Sequence, residues 1–278
     1  MIGIKRTVAS AICMMLTCSA FAWGGFEHSI VAYIAQEYLT ENAERNIRYY
    51  LDQPLTEYAE WMDHVPTQNT PTYKELLKFN HTFTIHKDGS IPTESIVDGG
   101  ACCGTHTMNK IIDTLKDRKN QSDSLVILYL RCLVHMFGDL HCPGHIISHY
   151  APGGMMPDGS WRNNYQFKKC TYEGSSKTMH WMWDTALQNE KPGWTFEDWR
   201  VFLDTYTPEQ RAQVSQGTFN DWLRECSEDV KVVFDWWQPG QNYDRSWYDG
   251  KVAKYAHDHI RHAGYRLAKL LNDIFDNE

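Results

Sequence analysis

The residues able to do chemistry concentrate first in CLVHMFGDLHCPGH, positions 132 to 145. His135 and Asp139 are four residues apart, so on a helix they leave from one side, one turn above the other. HWMWD repeats the device with His180 and Asp184. His145, just past the Pro143-Gly144 break, can reach that second pair across a helical bundle. A single His and Asp at this spacing need be no more than a local hydrogen bond. Two such pairs with a hinge histidine match the donor set of an open catalytic zinc site, which is built from imidazole nitrogen and carboxylate oxygen.

The amino-terminal end adds another donor. Lys5 and Arg6 precede the apolar run Val8 to Leu16 and then Ala20-Phe21-Ala22, the pattern of a secretory signal peptide with a small-residue cleavage site. Residues 1 to 22 are therefore expected to be removed, leaving Trp23 first and residues 23 to 278 as one domain. The apolar run is too short to span a bilayer, and no later segment reads as a membrane span. The expected location is secreted or periplasmic. A free amine at Trp23, with an ordinary pKa of about 7.7 to 8.0, would be held neutral by a metal and could chelate it together with its own carbonyl. His28 follows five residues later.

The elements that must position these groups read as mostly helical. Apolar residues recur at three and four residue steps from His28 to Leu39, Ala43 to Leu51, Thr107 to Lys116 and Ser122 to His141. The same holds for Met179 to Leu187, Phe196 to Tyr206, Pro208 to Trp237 with a break at Gly217, and Val252 to Phe275. FNHTFTIH alternates, with Phe79, His81, Phe83 and Ile85 on one face, and predicts a short strand. Residues 146 to 177, punctuated by Pro and Gly, read as a long irregular connection.

A hydrophobic content of 42% with 13% aromatics supports one packed domain and excludes a disordered chain. The formal charge of -8 becomes -10 once Lys5 and Arg6 are lost. That excludes a basic stripe for extended polyanion binding. Six cysteines remain after residue 22, and in an oxidising compartment one or two bridges are expected, from Cys102 or Cys103 to Cys226 and from Cys142 to Cys170.

With EWMDH at 60 to 64, FNHTF at 79 to 83, both His and Asp pairs, and HAGYRLAKLLN at 262 to 272, the chain resembles the single-strand-specific zinc nucleases, the S-one/P-one family. It is more distantly similar to bacterial zinc phospholipases C. The resemblance covers essentially everything after residue 22. It implies an all-α, phospholipase C/nuclease-like bundle with a short strand or hairpin, and three zinc ions. Trp23 and His28 would hold one ion, and Asp63, His81 and His135 a second, with Asp139 bridging the two. His145, His180 and Asp184 would hold the third.

The resemblance further implies hydrolysis of single-stranded DNA or RNA to 5′-phosphorylated products, with 3′-nucleotidase activity and with Asp63 orienting the attacking water. Single-stranded nucleic acid or nucleotides are then the partner, and no stable protein partner is implied. The short gap from Trp23 to His28 and the Asp at 184 favour the nuclease branch, since the phospholipases have a longer gap and a Glu there. A phospholipase C-like hydrolase and a zinc-binding relative without turnover are the rival readings.

Several positions depart from the family pattern. Pro66 stands where the nucleases carry a phosphate-pairing Arg, and Thr82 and Thr84 stand where they carry base-binding residues. Glu27 replaces the Gly before the first histidine, and Met155 the Asn after Gly153-Gly154. The metal cage thus matches the family more fully than the substrate grip. His86 rivals His81 as a ligand. His106, His141, His149, His257, His259 and His262 are expected to be surface or satisfied core residues, and the stripe Trp181, Trp183, Trp236 and Trp237 to be packing.

Overall fold

The computed structural model describes residues 23–65, 82–86, 88–93, 103–147, 153–155, 161–163, 169–234, 236 and 241–276. Its architecture is all-α with a few small sheets. The helices are α1 (Gly25–Gln36), α2 (Glu41–Tyr50), α3 (Trp61–His64), α4 (Gly104–Lys116) and α5 (Asp123–Leu140). After the hinge come α6 (Met179–Asp184), α7 (Ala186–Glu190), α8 (Phe196–Leu203), α9 (Pro208–Val214), α10 (Phe219–Phe234) and α11 (Lys254–Phe275).

Hydroxyl side chains set where several helices begin. The Oγ atoms of Thr40, Ser122, Thr178, Thr195 and Thr207 accept from backbone N–H groups three residues on. Each cap satisfies a donor that the first turn leaves without an intrahelical partner. The break expected at Gly217 separates α9 from α10, and its φ of 92° is one that glycine adopts without a Cβ clash.

Helix α5 runs through the core. Leu130, Leu133, Val134, Met136, Phe137 and Leu140 are all buried, and so are His135 and Asp139. Polar groups placed there are removed from water on every side and must find partners inside the protein. Helix α1 packs along α11, and α4 and α3 pack on α5.

The structure refines several expectations. The helix expected from Met179 to Leu187 is two helices, broken at Thr185, whose φ of -120° and ψ of 20° leave the helical region. A π-helical turn, Tyr248–Ala253, leads into α11, so helical structure starts before Val252. Within 146 to 177 the expected irregular connection is corrected to short strands: β2 (Ile146–Ile147), β3 (Gly153–Met155), β4 (Trp161–Asn163), β5 (Lys169–Tyr172) and β6 (Ser175–Thr178). Glu173 and Gly174 have φ of 48° and 75°, the positive values a two-residue hairpin turn requires. A Glu-Gly pair is not the usual signature of that turn, so the sequence did not announce it.

The strand expected in FNHTFTIH is β1 (Phe83–Thr84), which pairs in parallel with β2. Phe83 and Ile85 are buried, while Phe79 and His81 lie outside the described residues. Among the described residues no disulfide forms. Cys103, Cys142, Cys170 and Cys226 are free thiols, which corrects the expected bridges, and Cys102 lies outside the described residues.

The α1 and α11 contact depends on one small residue. A Cβ on Gly264 would lie 2.6 Å from Ile34 Cγ2, well inside carbon contact distance. Gly264→Ala is expected to lower unfolding stability by about 1 to 3 kcal/mol, read from the denaturant midpoint. An unchanged midpoint would show that the helices separate without cost.

Candidate metal centre

The site is assembled on α5 and its broken end. Asp139 is fully buried, and its two oxygens face different imidazoles: Oδ1 lies 3.2 Å from His28 Nε2 and Oδ2 lies 3.3 Å from His135 Nε2. The two rings stack, with centroids 4.4 Å apart and planes 13° from parallel. His28, His135 and Asp139 are grouped tightly enough to share one ion.

Local packing sets this geometry. The Ala59 carbonyl can only accept a hydrogen bond, so His135 Nδ1, 2.8 Å away, carries the proton and Nε2 turns its lone pair inward. His28 comes this close because the position before Asp139 on α5 is glycine. A Cβ on Gly138 would sit 2.3 Å from His28 Nδ1, so any larger residue displaces the ring. Asp63, on α3, extends toward the same place, with Oδ1 3.6 Å from His135 Nε2.

The second His and Asp pair meets the hinge. His145 Nε2 is 3.3 Å from His180 Nε2, and His180 Nε2 is 3.4 Å from Asp184 Oδ1. His145 Nδ1 lies 3.9 Å from Asp139 Oδ2, so the hinge histidine stands between the two groups. Trp23 is fully buried against Trp183, and the N–H of Gly24 donates to the Asp184 carbonyl at 2.8 Å. The start of the described chain is thereby tied to the end of α6.

Of the residues singled out in the sequence, His28, Asp63, His135, Asp139, His145, His180 and Asp184 converge, and Trp23 is held beside them. His81 and Pro66 lie outside the described residues. His86 opens a turn closed by its N–H donating to the Ser90 carbonyl. Thr82 and Thr84 are held through their backbones, Thr82 accepting from the Gly104 N–H and Thr84 pairing with the Thr105 hydroxyl.

Most of the histidines expected to be bland have protein partners. His106 meets the Thr93 carbonyl, His257 meets Glu190, His262 meets Tyr206, and His141 and His259 are buried in contact with each other's segments. His149 lies outside the described residues. Sequence reasoning missed Gly138, whose only signal is its place before Asp139. It also missed that Glu27, noted solely as a departure, is a buried carboxylate accepting from the Leu187 N–H at 3.0 Å.

The electrostatics follow from this burial. Burial alone would raise the Asp139 carboxyl, but His135 and His145 outweigh it and hold the group well below the usual carboxylate range. Asp184 is pushed well above that range by burial, and the carboxylates of Glu27, Asp63 and Asp139 add to the effect. Burial likewise raises Asp63. His28 is lowered by burial and by the stacked His135.

A divalent cation fits this donor set. Among the described residues His28 Nδ1 and Asp184 Oδ1 are buried without a hydrogen-bond partner, and the carboxylates of Glu27, Asp63 and Asp139 crowd Asp184. Such groups are costly to bury unless a cation or a hydrogen bond compensates them.

Comparison with known proteins supplies an independent observation. The family model described as S1/P1 Nuclease matches residues 23–276. Nuclease S1 of Aspergillus oryzae is 24% identical, over 80% of this chain and 73% of its own length. Nuclease PA3 of Penicillium sp and Nuclease P1 of Penicillium citrinum are each 23% identical, over 92% of this chain and 99% of their own lengths.

A pH effect follows for metal-free protein. Burial would lower His135, but Asp139 and Asp63 outweigh it and raise the group from 6.5 to about 9. A raised folded-state pKa contributes stability that is complete below 6.5 and is lost as pH rises through about 9. In chelator, the stability advantage of the wild type over His135→Gln, measured by urea denaturation, is expected to shrink across that window. An advantage that grows there would contradict the charge assignment.

Proposed function

The chain belongs to the S1/P1 nuclease family, and on that footing we propose that it is a zinc-dependent phosphodiesterase that cleaves single-stranded DNA and RNA to 5′-phosphorylated products and also acts as a 3′-nucleotidase. The observation that carries the reading is Asp139, whose two oxygens each face a separate imidazole. A carboxylate placed in this way would be able to serve two cations.

In this reading the mature protein begins at Trp23 after loss of residues 1 to 22, and is secreted or periplasmic. Among the described residues no helix is long and apolar enough to cross a membrane. The amine and carbonyl of Trp23 with His28 would hold one ion. Asp63, His81 and His135 would hold a second, shared through Asp139, and His145, His180 and Asp184 a third. Bound divalent ions supply positive charge that makes water more acidic and offsets charge on phosphate oxygens.

The chain's own groups divide the remaining work. Asp139 is sealed from solvent, whereas the Asp63 side chain is 9% exposed. Of the two carboxylates that face His135, Asp63 is the more exposed, and in this reading it would orient an attacking water. His135, pinned through Nδ1 to Ala59, keeps its other nitrogen aimed inward throughout. A mature charge of -10 disfavours long tracking along a polyanion, so capture is local to one or two nucleotides.

The test is metal analysis of protein with a verified Trp23 terminus, followed by digestion of single-stranded DNA, a 3′-mononucleotide and phosphatidylcholine, with and without chelator. About three zinc equivalents and chelator-sensitive cleavage of the first two substrates are expected. Cleavage of phosphatidylcholine alone, or full metal content with no cleavage, would overturn the nuclease reading. Asp63→Asn is expected to lower kcat by about 100-fold or more. A protein extended before Trp23, whose nitrogen is then an amide, is expected to bind about one equivalent fewer; an unchanged metal count would remove the amine from the ligand set.

A further inference from the structure

Arg131 stands one helical turn before His135 and two before Asp139, on the face of α5 that carries both. Its guanidinium lies 4.7 Å from the centroid of the Tyr58 ring and 5.3 Å from that of Trp61. Planar cations bind well between aromatic faces. The Tyr58 hydroxyl in turn donates to Asp52. Arg131 Nε is buried without a hydrogen-bond partner, so the ring faces supply much of its surroundings.

These contacts bracket one short stretch of chain. Tyr58 and Trp61 flank Ala59, whose carbonyl accepts from His135, and Trp61 is the first residue of the helix carrying Asp63. That helix has four residues, too few to hold its shape by its own hydrogen bonds. Asp63 can keep a fixed direction only if something outside α3 grips it. Helix α5 does so at two points a turn apart, through His135 and through Arg131.

We propose that Arg131 is a positioning residue for Asp63, clamping the turn at 58 to 61 against the helix that carries His135 and Asp139. The proposal rests on the metallonuclease reading for what Asp63 does, but not for how it is held. Arg131 acts by limiting how far the Asp63 carboxylate can swing from His135 Nε2.

The experiment compares wild type, Arg131→Met and Arg131→Lys, all beginning at Trp23. Three quantities are measured: amide hydrogen exchange over residues 55 to 64 in chelator, zinc retained against graded chelator, and kcat and KM on single-stranded DNA. Met keeps the bulk without the charge, and Lys keeps the charge without the planar fork. For Arg131→Met, exchange over the turn is expected to quicken by about tenfold or more. Outer-shell changes cost about 10 to 100-fold in metal affinity, so about one zinc equivalent should weaken by that much while the others hold. The loss should fall on kcat more than on KM, and Arg131→Lys should recover part of each effect.

The proposal is overturned if folded Arg131→Met exchanges and holds metal as the wild type does, or if all equivalents weaken together, which would mark a global effect. Should the Met variant not fold, the same readouts on Arg131→Lys decide the matter. If the wild type binds no metal, the nuclease reading fails, and exchange over the turn still decides whether Arg131 holds it.

Discussion

The structure is organised around carboxylates drawn into its interior, Glu27 and Asp139 fully buried and Asp63 and Asp184 nearly so. Asp139 lies within a helix whose second half is buried, and Glu27, Asp63 and Asp139 stand close enough to Asp184 to help raise its carboxyl above the usual range. A lone ionised carboxylate in such surroundings is too costly to keep, and proteins resolve the cost by protonation, pairing or metal coordination. Here imidazoles answer for Asp139, while Asp184 is left strongly shifted. The proposed cations would complete that balance.

Holding like charges together places demands on the scaffold. Helix α5 is rigid because nearly every residue along its second half is packed, and the hinge after it is shaped by Pro143. Approach distances are then set by absent side chains: Gly138 admits the His28 ring, and Gly264 lets α1 lie against α11. Directions are set by backbone carbonyls, above all Ala59, which decides which nitrogen of His135 faces inward. Fixing a donor through its other nitrogen is the usual means by which outer groups tune a metal site.

Glu27 shows how a departure from a family pattern can be absorbed structurally. Its carboxylate accepts from the N–H groups of Leu187 and Gln188, joining α1 to the segment that follows Asp184. Burial raises it to about 8. The side chain that looks misplaced in the sequence thus forms part of the connection between the two ends of the site.

Sequence alone determined the all-α class, the helices bearing the pairs at 135 and 139 and at 180 and 184, and the kinds of atom that would meet. These follow from spacing along one chain segment, where helix geometry leaves little freedom. Family resemblance added the expected roles of Trp23, His28, Asp63 and His81. The hairpin at Glu173-Gly174, the free thiols of Cys142 and Cys170, and the burial of Glu27 were not legible, because each depends on backbone angles or neighbours that local pattern does not encode. Only the tertiary structure decided that each oxygen of Asp139 faces its own imidazole, that Gly138 makes room for His28, and that Arg131 lies over the Tyr58 and Trp61 rings. Those are contacts between residues far apart in the chain, and their distances are fixed only when whole helices pack.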